Sequence, residues 1–357
     1  MTRSRHPLVA AHRTQCVGKA VWWLLAGFVL ASAIAVLAWG GFTYRRFTHT
    51  PLAATSGQTL EIAQGAGFKG IVAELRAHKL THAAPLWWRV LAWRLGVVNK
   101  LHAGEYALAP GMLPVTLLQH MAADRVVHRR VTLVDGWTFA QVLQALDAAP
   151  KLKHTPRKVL ADELARRIGK AGQNVPEGEF MPDTYDYVLG MSDIDILVRA
   201  HKAMQAYLAK EWAGRARSIP LQTPYQALIL ASLVEKETAV PAELPRVAGV
   251  FERRLKLGMK LETDPSVIYG MGTAYTGKIH KADLEADTPY NTYTRYGLPP
   301  TPIALPSRAA IAAVMHPAAG NALYFVAKGN GTHQFSATLA EQTAAIRKYI
   351  LSNKVKR

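Results

Sequence analysis

Two carboxylates, Glu235 and Glu237, end the run YQALILASLVEKET that stretches from Tyr225 to Thr238. The run is rich in Ala and Leu and contains no Gly or Pro, a pattern that predicts a buried helix. Acidic side chains are seldom buried without a partner or a task to hold them there. A carboxyl beside apolar packing has its pKa raised, because desolvation disfavours the charged form. That is how a protein keeps a Glu protonated near neutral pH for use as a general acid. Two residues apart on a helix, the pair projects in directions about 200° apart. They therefore cannot serve as one acid–base couple: one faces a site and the other faces elsewhere. In the plainer alternative the last helical turn reaches solvent and Lys236 is a surface charge.

The elements that must position these groups are read from periodicity and breakers. Pro220 to Pro224 introduces the Glu-bearing helix, where proline can open one. Asp193 to Trp212 reads as a long helix with Ile194, Ile196, Leu197, Ala200, Met204 and Leu208 inward, and Ala242 to Leu257 as another, ended by Gly258. Past it, Asp264-Pro265, Pro289, Pro299-Pro300, Pro302 and Pro306 break any long element and predict loops of the kind that carry binding residues. Leu323 to Ala327 and Thr332 to Ala337 read as a hairpin turned by the GNG between them. Upstream, Pro114 to Ala123 is a helix, Val126 to Leu133 a strand, and Thr138 caps a helix running to Leu146. Lys151 to Gly172 is basic and helical in part. Nearer the N-terminus, Thr59 to Ile62, Gly70 to Lys79, Leu86 to Leu95 and Gly104 to Leu108 give a β-α-α-β order. The fold class is α+β.

Composition first raises nucleic acid, because the formal charge is +18. Six of the basic residues (Arg3, Arg5, Arg13, Lys19, Arg45 and Arg46) flank an apolar run from Ala20 to Thr43, and removing them leaves +12 for the rest. Those charges are dispersed and carry no nucleic-acid motif, so an anionic polymer is the better counterpart. The run matches the roughly 20 residues that span a bilayer and exceeds the ~7–15 of a signal-peptide core. It ends in Trp39, Tyr44 and Phe47, which suit an interfacial belt, and the preceding basic residues place the N-terminus in the cytoplasm. The expectation is a cytoplasmic tail over 1–19, a single-pass helix over 20–43, a short linker from Phe47 to Ser56, and an exported region beyond. The lone Cys16 excludes a disulfide within the chain. No phosphate loop, dinucleotide fingerprint, zinc constellation or nucleophile elbow occurs, so no cofactor and no metal are expected.

Several blocks occur in one order: LHAGEYAL (Leu101 to Leu108), VDGWTFAQV (Val134 to Val142), PEGEFMPDTYDY (Pro176 to Tyr187) and the Glu-bearing run. LETDPSVIYGMG (Leu261 to Gly272), DTPYNTYTRYGLPPTPIALPS (Asp287 to Ser307), MHPA (Met315 to Ala318) and ALYFVAKGNGTHQFSATLAEQ (Ala322 to Gln342) complete the set. Together they resemble the YceG-like, or MltG, family of membrane-anchored endolytic murein transglycosylases, from about Ser56 to the end of the chain. The resemblance implies cleavage of the MurNAc–GlcNAc bond of nascent peptidoglycan, leaving 1,6-anhydroMurNAc ends, by a protein of the inner membrane whose catalytic region is periplasmic. Cell-wall synthases are the implied partners, with no nucleic acid. The β-α-α-β order over 55–124 in turn resembles the LysM carbohydrate-binding module. Its Trp87, Trp88 and Trp93 are read either as sugar-stacking rings or, as is commoner at helical spacing, as core. A catalytic region is expected over 125–357. The family's catalytic acid falls on Glu237, supported by a Glu-Thr step similar to the Glu-Ser step of other lytic transglycosylases; Glu235 remains the alternative. Thr263, Asp264, Tyr290, Asn291, Tyr293 and His333 are the expected substrate-side residues. Asp264 is read either as a supporting carboxylate or as a turn residue, and Asn291 either as an amide donor to the N-acetyl group or as a turn residue. His316 is read as structural, and Glu177 and Asp183 as capping and turn residues near the cleft. Two rival functions stay open: a non-catalytic peptidoglycan-binding scaffold, and a hydrolase with Glu237 as acid and Asp264 as base.

Overall fold

The structure, a computed structural model, describes residues 14–172 and 177–351. The start of the basic tail, with Arg3, Arg5 and Arg13, and Pro176 of the PEGEF block lie outside the described residues. The fold is mixed α and β, in two compact units, residues 1–127 and 128–357.

The first unit opens with helix α1, Thr14–His49, of which Val21–His49 is long and apolar enough to cross a bilayer. Trp22, Trp23, Leu24, Phe28 and Leu37 are exposed along it. The order then runs β1 (Thr59–Ile62), α2 (Phe68–Ala77), α3 (Pro85–Arg94), β2 (Gly104–Ala107) and α4 (Pro114–Ala122). β1 and β2 pair antiparallel with Leu60 opposite Tyr106, and both side chains are fully buried with Ile71, Leu75, Trp88 and Leu117. Tyr106 satisfies its hydroxyl by donating to the carbonyl of His102 at 2.7 Å. The expected linker from Phe47 to Ser56 needs correcting. α1 continues through it to His49, Phe47 and Leu52 sit in the unit's core, and Leu52 and Ala53 donate backbone bonds to Met112 and Leu80. Pro51 and the small residues read as flexible, but a buried Phe and Leu cost too much to expose for the segment to swing freely.

In the second unit, β3 (Arg129–Leu133) pairs antiparallel with β4 (Asp183–Tyr187), which frames α5 (Phe139–Asp147) and α6 (Arg157–Arg167). Thr138 caps α5 in a reciprocal box with Gln141. Asp183, expected in a turn, is instead the first residue of β4 and pairs with Arg308 at 2.9 Å. Four helices carry the main core: α7 (Asp193–Ala213), α8 (Pro224–Glu237), α9 (Leu244–Lys256) and, after two short helices α10 (Asp264–Met271) and α11 (Lys281–Glu285), α12 (Arg308–Met315). The chain ends in the hairpin β5 (Tyr324–Ala327) and β6 (His333–Ser336), with Gly329 and Gly331 at positive φ in its turn, and α13 (Leu339–Ile346). The stretch beyond Gly258 is less irregular than its prolines suggest. Pro265 lies in the first turn of α10, and Ser307 after Pro306 caps α12, so these prolines stand where helices begin.

α8 is the axis of this core. Every residue from Ala227 to Val234 is buried, so the helix is surrounded rather than laid on a surface. Its one interior hydroxyl, Ser232, donates to Ile229 O at 2.7 Å and accepts from Ile303 N at 3.0 Å, pinning the Pro-rich segment against the helix. Gly178 lets the chain pass that segment: it has φ +74°, and a Cβ there would lie 2.3 Å from Pro302.

Candidate active site

Glu237 is the last residue of α8, where the chain turns to extended backbone at Thr238 and the negative end of the helix dipole lies. The half-buried carboxyl accepts a hydrogen bond from the Thr263 hydroxyl at Oε1. Burial is the main force on its titration and pushes the pKa up to about 7; the neighbouring Asp264 charge adds to the rise, while the Thr263 bond, His333 and Arg254 oppose it. It faces a cleft of about 200 Å³ lined also by Arg254, Leu261, Glu262, Asp264, Tyr293 and Phe325.

Thr263 is held by a small hydroxyl network. Its amide donates to the Thr292 hydroxyl at 3.0 Å, its carbonyl accepts from Ser266 at 2.8 Å, and the Ser266 and Thr292 hydroxyls lie 2.9 Å apart. All three residues are buried, so the donor to Glu237 is fixed in place before any ligand arrives. Asp264 opens α10 without capping it; its Oδ1 accepts from the Tyr293 hydroxyl at 2.5 Å. Burial raises the Tyr293 pKa, the bond to Asp264 raises it further, and the phenol stays a proton donor at any ordinary pH.

The other expected residues divide. The amide of Asn291 donates to the carbonyls of Asp283, Leu284 and Ala286, its oxygen accepts from Tyr293 N, and the residue is 1% exposed. Its donors are therefore committed to the carbonyls at the C-terminal end of α11, which is the turn reading and leaves none for a sugar amide. Tyr290 bonds Thr301 at 2.8 Å and packs edge-on against Tyr269, 4.9 Å between centroids, away from the cleft lining. His333 reaches the site through Glu243: its backbone N–H and ring nitrogen lie 2.9 and 2.7 Å from that carboxylate, which also accepts from Thr238 beside Glu237. Burial alone would raise the Glu243 pKa, but these bonds hold it below the usual range. His316 ends α12.

Glu235 points to a different part of the molecule, where its Oε2 accepts from the backbone of Ser307 at 2.9 Å. Glu177 accepts from Phe139 N, the first residue of α5, and from Gly178 N and the Tyr269 hydroxyl. Burial raises its pKa in spite of those bonds.

Arg254, Glu262 and Phe325 line the cleft without having been singled out in sequence. Arg254 is buried, donates to Leu323 O at 2.7 Å and to Lys260 O and Leu261 O at 3.1 Å, and pairs with Glu262 at 3.0 Å. Glu262 adopts φ +50°, a strained conformation for a side-chain-bearing residue, so the turn before Thr263 is held by its partners. The only trace in sequence is two arginines in succession on a helix, which reads equally as a charged face. Among the described residues, no group of three or more His, Cys, Asp or Glu is placed to hold a metal ion.

Comparison with known proteins agrees in one direction. The YceG-like family profile matches residues 60–348. A Bacillus subtilis (strain 168) protein named endolytic murein transglycosylase is 27% identical over 337 residues, which cover 89% of this chain and 92% of that one. Two Streptococcus pneumoniae proteins of the same name, from strains D39 and ATCC BAA-255 / R6, are 32% and 37% identical over 258 and 259 residues. Those matches span 64% of this chain and 46% of theirs, so the chain aligns with about half the length of the pneumococcal relatives. The crystal structure of a yceG-like protein from Listeria monocytogenes superposes with TM-score 0.51 at 29% identity, covering 80% of this chain and 98% of that one.

Proposed function

The chain belongs to the YceG-like family, and from that premise and the geometry around Glu237 we propose that it is a membrane-anchored endolytic murein transglycosylase, a lyase that cuts MurNAc–GlcNAc bonds within nascent strands. The observation that carries the reading is the Glu237 carboxyl, held at the end of a buried helix and facing a cleft, with its pKa near 7 and Thr263 fixed on one oxygen. A group so poised holds a proton for donation yet gives it up readily. In the reaction, Glu237 protonates the glycosidic oxygen as the C1–O bond breaks. The resulting carboxylate then takes the proton of the MurNAc C6 hydroxyl as that oxygen bonds C1. The products are a 1,6-anhydroMurNAc end and a free GlcNAc hydroxyl, with no water consumed and the acid restored. No second carboxylate is needed to activate water, which suits the commitment of Asp264 to Tyr293. In this reading Asp264 and Tyr293 line the sugar path, the Asp264 charge helps keep the acid's pKa high, and His333 acts through Glu243.

α1 anchors the protein in the inner membrane, with its N-terminus cytoplasmic and both units beyond residue 49 periplasmic. The β1-α2-α3-β2 unit is a LysM-like module that holds glycan, and synthases that extrude new strands are its neighbours. Mass spectrometry of products from purified glycan strands tests the chemistry, since anhydro and reducing ends differ by one water. Anhydro ends from the native chain and none from Glu237→Gln are expected. Reducing ends would establish a hydrolase, and no cleavage by the native chain would establish a scaffold.

A further inference from the structure

Helix α3 carries a face that the rest of its unit leaves bare. Trp88, Leu91 and Ala92 turn into the core. Trp87 and Arg94 turn toward α1: the Trp87 ring lies 5.8 Å from that of Tyr44 and reaches Gly40, and the Arg94 guanidinium sits 5.5 Å above Tyr44. Trp88 meets Phe47 edge-on at 5.1 Å. At about 100° per residue, Leu86, Arg89 and Trp93 fall together on the side opposite Trp88. Leu86 is 61% exposed and Trp93 75%, a high figure for the largest apolar side chain in a folded unit.

Where α3 meets α1 says what covers that face. Val21 to Thr43 of α1 is about 33 Å long at 1.5 Å per residue, close to the ~30 Å of a hydrocarbon core. Tyr44, Arg45 and Arg46 then stand at headgroup level, and the contacts with α3 begin at Gly40 and end at Phe47. α3 is thus packed against α1 at the membrane boundary. A helix that presents Trp and Leu with Arg between them at that depth has the composition of an interfacial anchor, its rings among the headgroups and its guanidinium on lipid phosphate.

We propose that α3 lies on the bilayer surface, with Leu86 and Trp93 inserted among the lipid headgroups and Arg89 paired with anionic ones. The proposal rests on α1 being a membrane span. α3 then acts as a second attachment point that fixes the tilt of the first unit on the membrane, so that this unit sits on the bilayer instead of swinging from the end of α1.

The test uses the full chain with Cys16→Ser, in nanodiscs of phosphatidylethanolamine and phosphatidylglycerol. A single nitroxide is placed in turn at Leu86→Cys, Trp93→Cys, Leu30→Cys within α1 and Glu74→Cys on the exposed side of α2. Collision with oxygen, which concentrates in lipid, is compared with collision with a water-soluble nickel chelate. Labels at 30, 86 and 93 should favour oxygen several-fold over the label at 74, and Leu86→Cys makes the measurement with Trp93 intact. If 30 is lipid-like while 86 and 93 match 74, the proposal is overturned and the anchor stands. If 30 is water-like as well, the anchor reading fails and takes the proposal with it. Should 86 and 93 be water-like and become immobilised only when glycan strands are added, the face is a sugar platform and not a membrane contact.

Discussion

Glu237→Gln should abolish cleavage and, less obviously, stabilise the fold in a pH-dependent way. An acid whose folded pKa is raised retains its proton longer when folded than when unfolded. Its contribution to stability is therefore neutral below the ordinary value of 4.5 and becomes a growing penalty as pH rises through about 7. A rise from 4.5 to about 7, at about 1.4 kcal/mol per tenfold change in proton affinity, sets a ceiling of about 3.5 kcal/mol on the penalty above neutrality. Gln cannot ionise, so it escapes the penalty while its oxygen still accepts from Thr263. Denaturant titration of native chain and variant at pH 4, 6 and 8 should give a difference near zero at pH 4 and largest at pH 8. With ~2–4 °C per kcal/mol for a unit of this size, the thermal midpoint at pH 8 should rise by up to roughly 14 °C. A difference that is flat across pH, or that favours the native chain at pH 8, would refute the claim that this carboxyl is held desolvated.

Activity should fall as pH rises past about 7, because the proton donor is lost, and Asp264→Asn should move that alkaline limb to lower pH by removing a like charge from beside Glu237; initial rates against pH for both proteins decide it. Glu235→Gln should keep most activity and cost about 1 kcal/mol, the value of a weakened bond to the Ser307 amide, read by denaturant titration and product yield. Gly178→Ala should destabilise by at least ~2 kcal/mol, since φ +74° and a 2.3 Å approach to Pro302 both oppose a side chain. Unfolding midpoints of that variant equal to the native chain's would show that the Pro302 segment moves aside without cost.

The sequence marked the elements whose signals are local. The apolar run before Glu235 became α8, the GNG segment a hairpin, and Gly258 the left-handed residue after α9 at φ +65°. The divergence of Glu235 and Glu237 followed from helix geometry alone, and their partners, Ser307 N and Thr263, lie in separate segments. What stayed hidden depends on residues far apart in the chain. Thr263 donates to a residue 26 positions earlier, and Thr292, which orders it, lies 29 positions later. A hydroxyl pattern of that reach leaves no periodicity to read. Asn291 misled in the same way: an amide in a Pro-bounded loop suits a ligand, until three backbone carbonyls claim it.

The arrangement also accounts for why the proposed acid sits at the end of a buried helix and not in its middle. Within Ala227 to Val234 an ionisable group would meet only apolar neighbours, and its pKa would rise until it never released a proton near neutrality. In an open loop it would be solvated, charged and useless as a donor. At position 237 the core holds the helix rigidly, burial and Asp264 push the carboxyl up, and Thr263, His333 and Arg254 pull it partway back. The strained turn at Glu262 brings Thr263 into range, and buried Arg254 clasps that turn by two carbonyls and a carboxylate. Replacing Arg254 with Leu should therefore change the acid before it changes the fold's centre. The released turn would let Thr263 drift from Glu237, removing a bond and a positive charge that both lower the carboxyl's pKa. The alkaline limb of the rate profile should then move upward, opposite to the Asp264→Asn shift, with a stability loss of roughly 2–4 kcal/mol from the orphaned carbonyls. A limb that moves downward, or does not move, would mean that Arg254 has no hold on the acid.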